Sequence, residues 1–329
     1  MQVFTKYIDV FGINIFATQA VSDNDIKHCA AVMAEYLDND ENGTIDNQLV
    51  VDEMVAQNAS MVMFGSDGSA DQSTFFNSYN GNWALQDLYG DETHPNGSTQ
   101  QNGFDATLEE VLHLITHVGY ANVYPNVWGE NVGTSLGNAM DIARGGQFIT
   151  IPATDPASAW YHYDDFTCDY SCMATEYLYW SLTTLLGAQD YTWRCNQIAN
   201  EWELCSAADF QTTDTSMYAL LTTPEYKFAT SIPDGNYCPS QASLLESNQL
   251  QNQISLFPNP FKESFYLEFE SPEEYVEVQV YDIDGKAILN MNASNVNHLL
   301  IQLPEAKSGI YFAECTTDQG TVIFKCVKQ

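Results

Sequence analysis

Apolar side chains recur with helical spacing through most of the N-terminal part of the chain. The clearest helix start is at Ser22, which forms a capping box with Asp25 ahead of a helix that runs to about Leu37. The same spacing predicts further helices over residues 48–57, 107–119, 135–143, 172–186 and 191–204. Apolar runs predict strands at residues 3–17 and 60–64. Residues 65–104, rich in Gly, Asn, Ser and Asp, are expected to form loops with short elements, and structure is expected to thin out after Leu204.

The pattern changes after a short polar segment. Residues 247–253 are uncharged and have no hydrophobic period, which is typical of a linker. Beyond it, alternating segments predict a set of short strands that includes 264–270, 275–282, 298–303, 310–315 and 321–328. We therefore expect an α+β protein with a helix-rich N-terminal domain over residues 1–246 and a small all-β sandwich over residues 254–329.

Charge is distributed unevenly between these two parts. The chain has 10 Lys plus Arg against 44 Asp plus Glu, and residues 1–253 hold 33 of the acids but only 5 of the bases. Such a surface repels phosphate backbones, so nucleic acid and anionic membranes are expected to be poor partners. It suits salty surroundings or divalent cations.

Four sequence blocks in the C-terminal part occur in a fixed order. They are Leu256-Phe257-Pro258-Asn259-Pro260, Val280-Tyr281-Asp282 with Gly285-Lys286, Ser308-Gly309-Ile310-Tyr311-Phe312 and Lys325-Cys326-Val327-Lys328-Gln329. This segment resembles the C-terminal sorting domain of type IX secretion cargo; the alternative is an immunoglobulin-like binding module of similar shape. The resemblance implies export across the outer membrane by the type IX secretion machinery. It also implies, in many cases, removal of the domain and attachment of the rest to the cell surface or its release.

The eight cysteines fit an exported protein. In an oxidising environment we expect disulfides among Cys168, Cys172, Cys195, Cys205 and Cys238, with Cys29 as a sixth candidate. A zinc pair formed by Cys168 and Cys172 is the alternative. Cys315 and Cys326 stand where the sorting-domain pattern usually has apolar residues, so we expect them to act as small core side chains.

The sequence shows neither an N-terminal signal peptide nor a transmembrane helix. No apolar run is long enough to predict a transmembrane helix. The segment Met1 to Thr18 alternates like a strand and lacks a charged start followed by an apolar block. We expect any signal peptide to have been removed already.

One helix carries a candidate metal site. Between Asp105 and Tyr120, two carboxylates and two imidazoles share one stripe of the helical wheel, and apolar residues occupy the other side. These four side chains are Glu109, Glu110, His113 and His117. Histidines four apart on a helix reach one ion, and neutral imidazoles with a carboxylate favour zinc. A polar face that only meets water is the alternative.

A second helix offers a third ligand. Glu176 lies among aromatic residues of the helix over 172–186, where a carboxylate must be paired, protonated or bound to metal. A hydrogen-bonded or half-exposed Glu is the alternative. His162, Asp164 and Asp165 are substitutes, and the aromatic residues around them also suit stacking on sugars.

This layout resembles the zincin metallopeptidases, whose active-site helix carries two histidines four apart and whose later helix supplies a third ligand. It departs from them at Leu114, which stands where the family has its catalytic Glu. The base would therefore be Glu110 or Glu109, and Tyr120 is a candidate oxyanion donor.

An acidic loop between the first two predicted helices matches the start of an EF-hand. The matching positions are Asp38, Asp40, Asn42, Gly43, Thr44 and Asp46. The twelfth position is Leu49 instead of Glu, so Asp52 or Glu53 would have to complete a calcium site. A plain acidic turn is the alternative. Gly133 to Gly137 fits the serine-hydrolase pattern, but no apolar strand precedes it, and helix capping is the better account.

Two hypotheses follow. The first is a secreted or cell-surface zinc-dependent hydrolase, metallopeptidase-like, with His113, His117 and Glu176 as ligands and Glu110 as base, acting on an extracellular protein or glycan. The second is a calcium-stabilised surface binding or adhesion protein that contacts glycans or proteins and catalyses nothing. Bound zinc would distinguish them.

Overall fold

The structure is a computed structural model that describes residues 3–238, 254–282, 286–304, 306–317 and 320–329, with the backbone alone at 320 and 321. The chain divides into two compact units, Met1–Pro239 and Ser240–Gln329. Helices predominate in the first unit, and the second consists of strands, which confirms the predicted α+β class. The linker predicted at residues 247–253 lies outside the described residues.

A four-stranded sheet forms one layer of the N-terminal unit. Its strands, in spatial order, are β1 (Phe4–Val10), β2 (Ile13–Thr18), β3 (Ser60–Phe64) and β4 (Leu85–Tyr89). The β1 and β2 strands form an antiparallel hairpin, while β3 and β4 join in parallel. Alternate residues face opposite sides, so Met61 and Met63 enter the main core and Val62 and Phe64 enter a smaller cluster on the other face.

Helices pack on the side of the main core. They are α1 (Asp23–Leu37), α2 (Gln48–Ala56), α4 (Thr107–Leu114) with its π-helical continuation (Ile115–Tyr120), α5 (Ala121–Val123), α6 (Ser135–Ala143), α7 (Tyr170–Leu185), α8 (Thr192–Ile198), α9 (Ala207–Thr213) and α10 (Thr215–Leu221). Helix α3 (Ala70–Ser78) contributes Phe75 to the smaller cluster. The α4 helix contacts α1, β4 and α7, so residues on its polar side meet residues from α7.

Several predicted elements are confirmed, and others differ. The Ser22 and Asp25 capping box is present, and helix α6 has its predicted bounds. Helix α6 is capped by Thr134, whose hydroxyl accepts from the Gly137 N–H, which confirms the capping account of this glycine-rich segment. The helix predicted over residues 191–204 ends at Ile198. Elements α3, β4, α9 and α10 lie in segments predicted as mostly irregular.

Two disulfides join cysteines of the predicted group. Cys168 bonds to Cys172, which excludes a zinc pair of these thiols, and Cys195 bonds to Cys205. Cys29 is a buried free thiol, so its candidacy as a disulfide partner was wrong. The reason is its position on the apolar side of α1, inside the main core.

The C-terminal unit is the predicted β-sandwich. One sheet has the order β11 (Gly320–Lys328), β10 (Gly309–Thr317), β7 (Val276–Asp282), β8 (Ala287–Ala293), and the other has the order β5 (Ile254–Phe257), β6 (Ser264–Glu273), β9 (Val296–Gln302). Both sheets contribute to one apolar core, and Cys315 and Cys326 lie in it as free buried thiols, as predicted.

The first and last blocks of this unit bind each other. The Asn259 side chain donates to the Lys325 carbonyl at 2.7 Å and accepts from the Val327 N–H at 2.9 Å. The Phe261 N–H donates to the Val327 carbonyl at 2.8 Å. The Lys328 ammonium is buried and donates to the Leu303 carbonyl at 2.5 Å. Residues far apart in sequence therefore fix the last strand.

Candidate functional site

The candidate site begins on helix α4, which does not stay α-helical. From Ile115 to Tyr120 it continues as a π-helix, whose i→i+5 hydrogen bonds add a residue to the turn. The His113 side chain is buried, whereas the His117 side chain is 62% exposed. The structure thus buries one of the two histidines that the sequence placed on one stripe and leaves the other largely exposed.

Glycine is required where the π-helix meets α2. A Cβ atom on Gly119 would lie 2.6 Å from a methyl carbon of Val50 and 3.2 Å from Met54. Both neighbours are fully buried and cannot move freely. The close approach of the two helices depends on the missing side chain.

Three side chains of α4 place ligand atoms close together. One atom each of Glu109, Glu110 and His113 lie within 4.8 Å of one another, which among the described residues is the single group of its kind. Glu176 of α7 completes the group, with its Oε2 3.7 Å from His113 Nε2. We call these four residues the Glu–His cluster. Sequence reasoning predicted all four of them.

The imidazole of His113 has an unmatched nitrogen. Its Nδ1 lies 3.6 Å from Glu110 Oε2, and its Nε2 is buried without a hydrogen-bond partner. A buried nitrogen of this kind costs free energy unless a ligand or water satisfies it. The Nε2 atom is therefore the atom of the cluster that a ligand or a water would satisfy.

Neighbouring polar groups hold the carboxylates in place. Gln86 of β4 donates to Glu110 Oε2 at 2.5 Å. The nearby Tyr179 hydroxyl lowers the pKa of Glu109 and the nearby Tyr163 hydroxyl lowers the pKa of Glu176, each against the larger effect of burial. Sequence reasoning assigned no role to Gln86 or to the two tyrosine hydroxyls, because their partners come from other elements.

Arg194 hydrogen bonds with residues next to the cluster. Its guanidinium donates to the Tyr179 hydroxyl at 3.2 Å and to the Gln189 side chain at 2.9 Å. It also lies 4.0 Å from the ring centroid of Phe104. The Arg194 guanidinium is therefore hydrogen bonded to Tyr179, whose hydroxyl lowers the pKa of Glu109.

Burial and mutual charge shift the cluster's ionisation. Burial, and then the charge of Glu176, raise the pKa of Glu109, while burial also raises the pKa of Glu176. Burial lowers the pKa of His113, but Glu176 and Glu110 outweigh that effect and raise it to about 10. The cluster thus favours a positive charge at its centre, either a proton on His113 or a cation in its place.

His117 is held by a carboxylate that sequence reasoning missed. Its Nδ1 lies 2.7 Å from Oε2 of Glu130, a buried residue in the loop before α6. Glu130 also accepts hydrogen bonds from the hydroxyls of Ser171 and Thr175, both at 2.8 Å. The hydrogen bond that His117 donates to the Glu130 carboxylate raises the pKa of His117. Glu130 lies in a loop rich in Gly and Asn, where no periodic pattern points to it.

Tyr120 does not serve as predicted. Its hydroxyl donates to the Tyr226 carbonyl at 2.8 Å, and its ring stacks on Phe228 at 4.2 Å between centroids. The π-helical turn directs it into the aromatic core, so the oxyanion role assigned to it is withdrawn. Tyr163, whose hydroxyl lowers the pKa of the neighbouring Glu176, offers a tyrosine hydroxyl at the cluster for that role.

The substitutes for Glu176 lie beside the cluster instead of within it. His162 is 2.9 Å from Glu203 and 3.6 Å from Asp155. Asp164 accepts from Asn200, and Asp165 accepts from the backbone and hydroxyl of Thr167. Glu176 is therefore the α7-side carboxylate that faces His113.

The acidic loop after α1 folds around its own carboxylates. Asp38 accepts from the N–H groups of Asn42 and Gly43 and from the Tyr237 hydroxyl. Further bonds within the loop join Asp40 Oδ1 to the Asn42 N–H, Asn42 Oδ1 to the Thr44 N–H and Asp46 Oδ2 to the Asn39 N–H. In the part of the chain that the structure describes, these acids do not form a group of three converging ligands. Calcium binding here stays a prediction.

Comparison with known proteins identifies the C-terminal unit. Residues 255–329 match the family described as "Secretion system C-terminal sorting domain". Among solved structures, a DUF3244 family protein with an immunoglobulin-like β-sandwich fold from Bacteroides vulgatus is 18% identical. That match covers 22% of this chain and 83% of the other, with a TM-score of 0.20. No curated protein matches the chain.

The sorting domain places the protein outside the cell. The family match over the same residues as the four sequence blocks confirms the resemblance to type IX cargo, so the protein is exported through that machinery to the cell surface or the medium. Within the described ranges, no helix is both long and apolar enough to cross a membrane.

Proposed function

We propose that this type IX secretion cargo is a zinc-dependent hydrolase whose active site is the Glu–His cluster. The observation that carries the proposal is the buried His113 Nε2, which has no hydrogen-bond partner and lies 3.7 Å from the Glu176 carboxylate. A divalent cation between these two groups would satisfy both of them. It would also offset the charge of three carboxylates that burial otherwise disfavours.

The donor set fits zinc. Imidazole nitrogen and carboxylate oxygen both occur as ligands of catalytic zinc, as in sites with two histidines and a glutamate. His113, Glu176 and Glu110 would hold the ion, and Gln86 would fix Glu110 as an outer hydrogen-bond donor. Zinc bound in such a site lowers the pKa of a bound water to about 7.

Three side chains of the protein would act as base, oxyanion donor and acid. Glu109, whose pKa burial raises, would accept a proton from the attacking water. The Tyr163 hydroxyl would stabilise the oxyanion. His117, held through Nδ1 by Glu130, presents Nε2 as the atom that gives a proton to the leaving group or binds metal. Hydrolysis is the reaction class, and a peptide bond is the first substrate to test.

Elemental analysis of the purified full chain tests this proposal. We expect about one zinc per chain, loss of zinc in His113→Ala and in Glu176→Gln, and retention in the control His94→Ala. Peptide hydrolysis should disappear with a chelator and return with zinc. Melting curves of each variant check that the fold persists. Zinc retained in both cluster variants would refute this site.

A second candidate is a surface protein that binds glycans or proteins and catalyses nothing. The loop after α1 favours it, because Asp38 and Asn42 fold the backbone around Gly43, which has a φ of +84°, as the invariant glycine of an EF-hand loop permits. A protein of this second kind would be distinguished by stability that depends on calcium, by the absence of bound zinc and by the absence of hydrolysis.

A further inference from the structure

Five aromatic side chains form a closed circuit on the sheet face opposite the main core. The centroid distances along it are 5.4 Å from Trp83 to Phe16, 5.8 Å from Phe16 to Phe4, 5.0 Å from Phe4 to Phe75 and 5.5 Å from Phe75 to Tyr79. Tyr79 closes the circuit, because its hydroxyl donates to the Trp83 carbonyl and accepts from the Trp83 N–H at 2.9 Å. We call these five residues the aromatic cage.

The cage borders a cavity of about 250 Å³. Phe75 is buried, and the other four rings are half-buried, so part of their surface remains accessible. Strands β1 and β2 supply Phe4 and Phe16, while α3 and the segment after it supply the rest. The cavity lies on the other side of the sheet from the helices that carry the Glu–His cluster, so it is a separate feature.

Several of the polar groups around the cavity are engaged in hydrogen bonds within the protein. The Tyr79 hydroxyl is used twice by Trp83, and the Ser78 hydroxyl donates to the Thr74 and Phe75 carbonyls. Asn80 Oδ1 accepts from the Asn82 N–H at the rim. A sugar would leave many hydroxyl groups unpaired here, which is costly for a buried ligand. A ligand without hydrogen-bond donors avoids that cost.

Charge points to a cation. Among the residues that the structure describes, those lining the cavity carry no charge, and the whole chain has a net charge of −34, with most of its acids in the N-terminal part. Such a field attracts cations and repels anions. The faces of Trp, Tyr and Phe rings attract cations within about 6 Å, and aromatic cages recognise quaternary ammonium groups in this way.

We propose that the aromatic cage binds an organic cation with a quaternary ammonium head group. Such a head group has no N–H donors, so it needs none of the hydroxyl groups that the cage has already engaged. The proposal does not depend on the hydrolase assignment, since no residue of the cage belongs to the Glu–His cluster.

Calorimetric titration of the full chain with choline and with its uncharged isostere 3,3-dimethylbutanol tests this proposal. We expect choline to bind about threefold or more tightly than the isostere, because cation–π attraction acts on the charge alone. The affinity for choline should fall with added salt. Equal affinities would refute the proposal, as would binding of methyl glucoside without binding of choline.

Two variants separate the cage from the rest of the molecule. Trp83→Leu and Phe16→Leu keep an apolar side chain but remove a ring, and each should weaken choline binding about threefold or more. Trp193→Leu is the matched control, because Trp193 stacks on Tyr191 in a different region. This variant should bind choline with the affinity of the parent protein. Unchanged choline affinity in both cage variants would overturn the assignment.

Discussion

The Nδ1 atom of His117 lies 2.7 Å from the Glu130 carboxylate, and the hydroxyls of Ser171 and Thr175 hold that carboxylate from α7. This relationship joins the π-helical turn, a loop and α7 at one point. It fixes which nitrogen of His117 faces outward. The arrangement is the one found when an imidazole must present a single nitrogen to a metal or a substrate.

Replacing Glu130 should therefore change the titration of His117. In Glu130→Gln the neutral amide can no longer stabilise the imidazolium, so the pKa of His117 should fall from its raised value. Proton NMR of the imidazole across pH 5 to 9 measures the change. Glu203→Gln is the control, since Glu203 pairs with His162 instead. An unaltered His117 pKa in Glu130→Gln would show that the hydrogen bond is absent in solution.

The metal-free protein should lose stability as pH rises above neutrality. The pKa of His113 is raised from its ordinary value of 6.5 to about 10 in the folded state. The folded state therefore binds this proton more tightly than the unfolded state. The stabilisation is complete below pH 6.5 and is lost as pH rises toward about 10.

Urea denaturation of chelator-treated protein at pH 7, 8 and 9 measures this dependence. In His113→Gln the midpoint should vary less over the same range, because the titrating group is gone. An equal slope in both proteins would assign the pH dependence to other groups.

A methyl group at Gly119 should destabilise the N-terminal unit. In Gly119→Ala the new Cβ would meet Val50 at 2.6 Å, and buried neighbours must shift to accept it. Overpacking of this kind costs about 1–3 kcal/mol. Thermal or urea unfolding measures the loss. A variant as stable as the parent would mean that α2 and the π-helix separate easily.

Calcium should raise the melting temperature if the loop after α1 binds it. Asp40→Ala removes a ligand at the third loop position and should abolish the rise, because binding to the folded state alone is what stabilises it. Asp190→Ala, which removes an exposed acid elsewhere, is the control. A melt that calcium leaves unchanged in the parent protein would discard the loop as a calcium site.

Sequence reasoning located the elements whose signals are local. Helix α1 has its own capping box, β3 is a continuous apolar run, and α6 begins at a capping threonine. Helix α3 and strand β4 were missed because their polar composition resembles that of loops. Their few apolar residues, such as Phe75 and Leu88, are recognisable as core residues only in the folded structure, where they are buried.

The residues of the candidate site also divide into those with a local sequence signal and those identified only by contacts in the fold. Glu109, Glu110 and His113 lie on one helix, so their spacing predicted their proximity. Glu130 and Gln86 act through contacts that form only in the fold, and no local pattern indicates such contacts. The π-helix was not predicted either, and the close approach of α2 to Gly119 within it forms only in the fold.

The pairing of Asn259 and Phe261 with the strand that ends at Lys328 has a consequence for recognition during export. The backbone of residues 325–329 is already engaged inside the domain, so a receptor cannot read it as an extended peptide without first unfolding the sandwich. We expect the export address to be a three-dimensional surface. A short synthetic copy of its last residues would then fail to compete with the intact domain for the translocon.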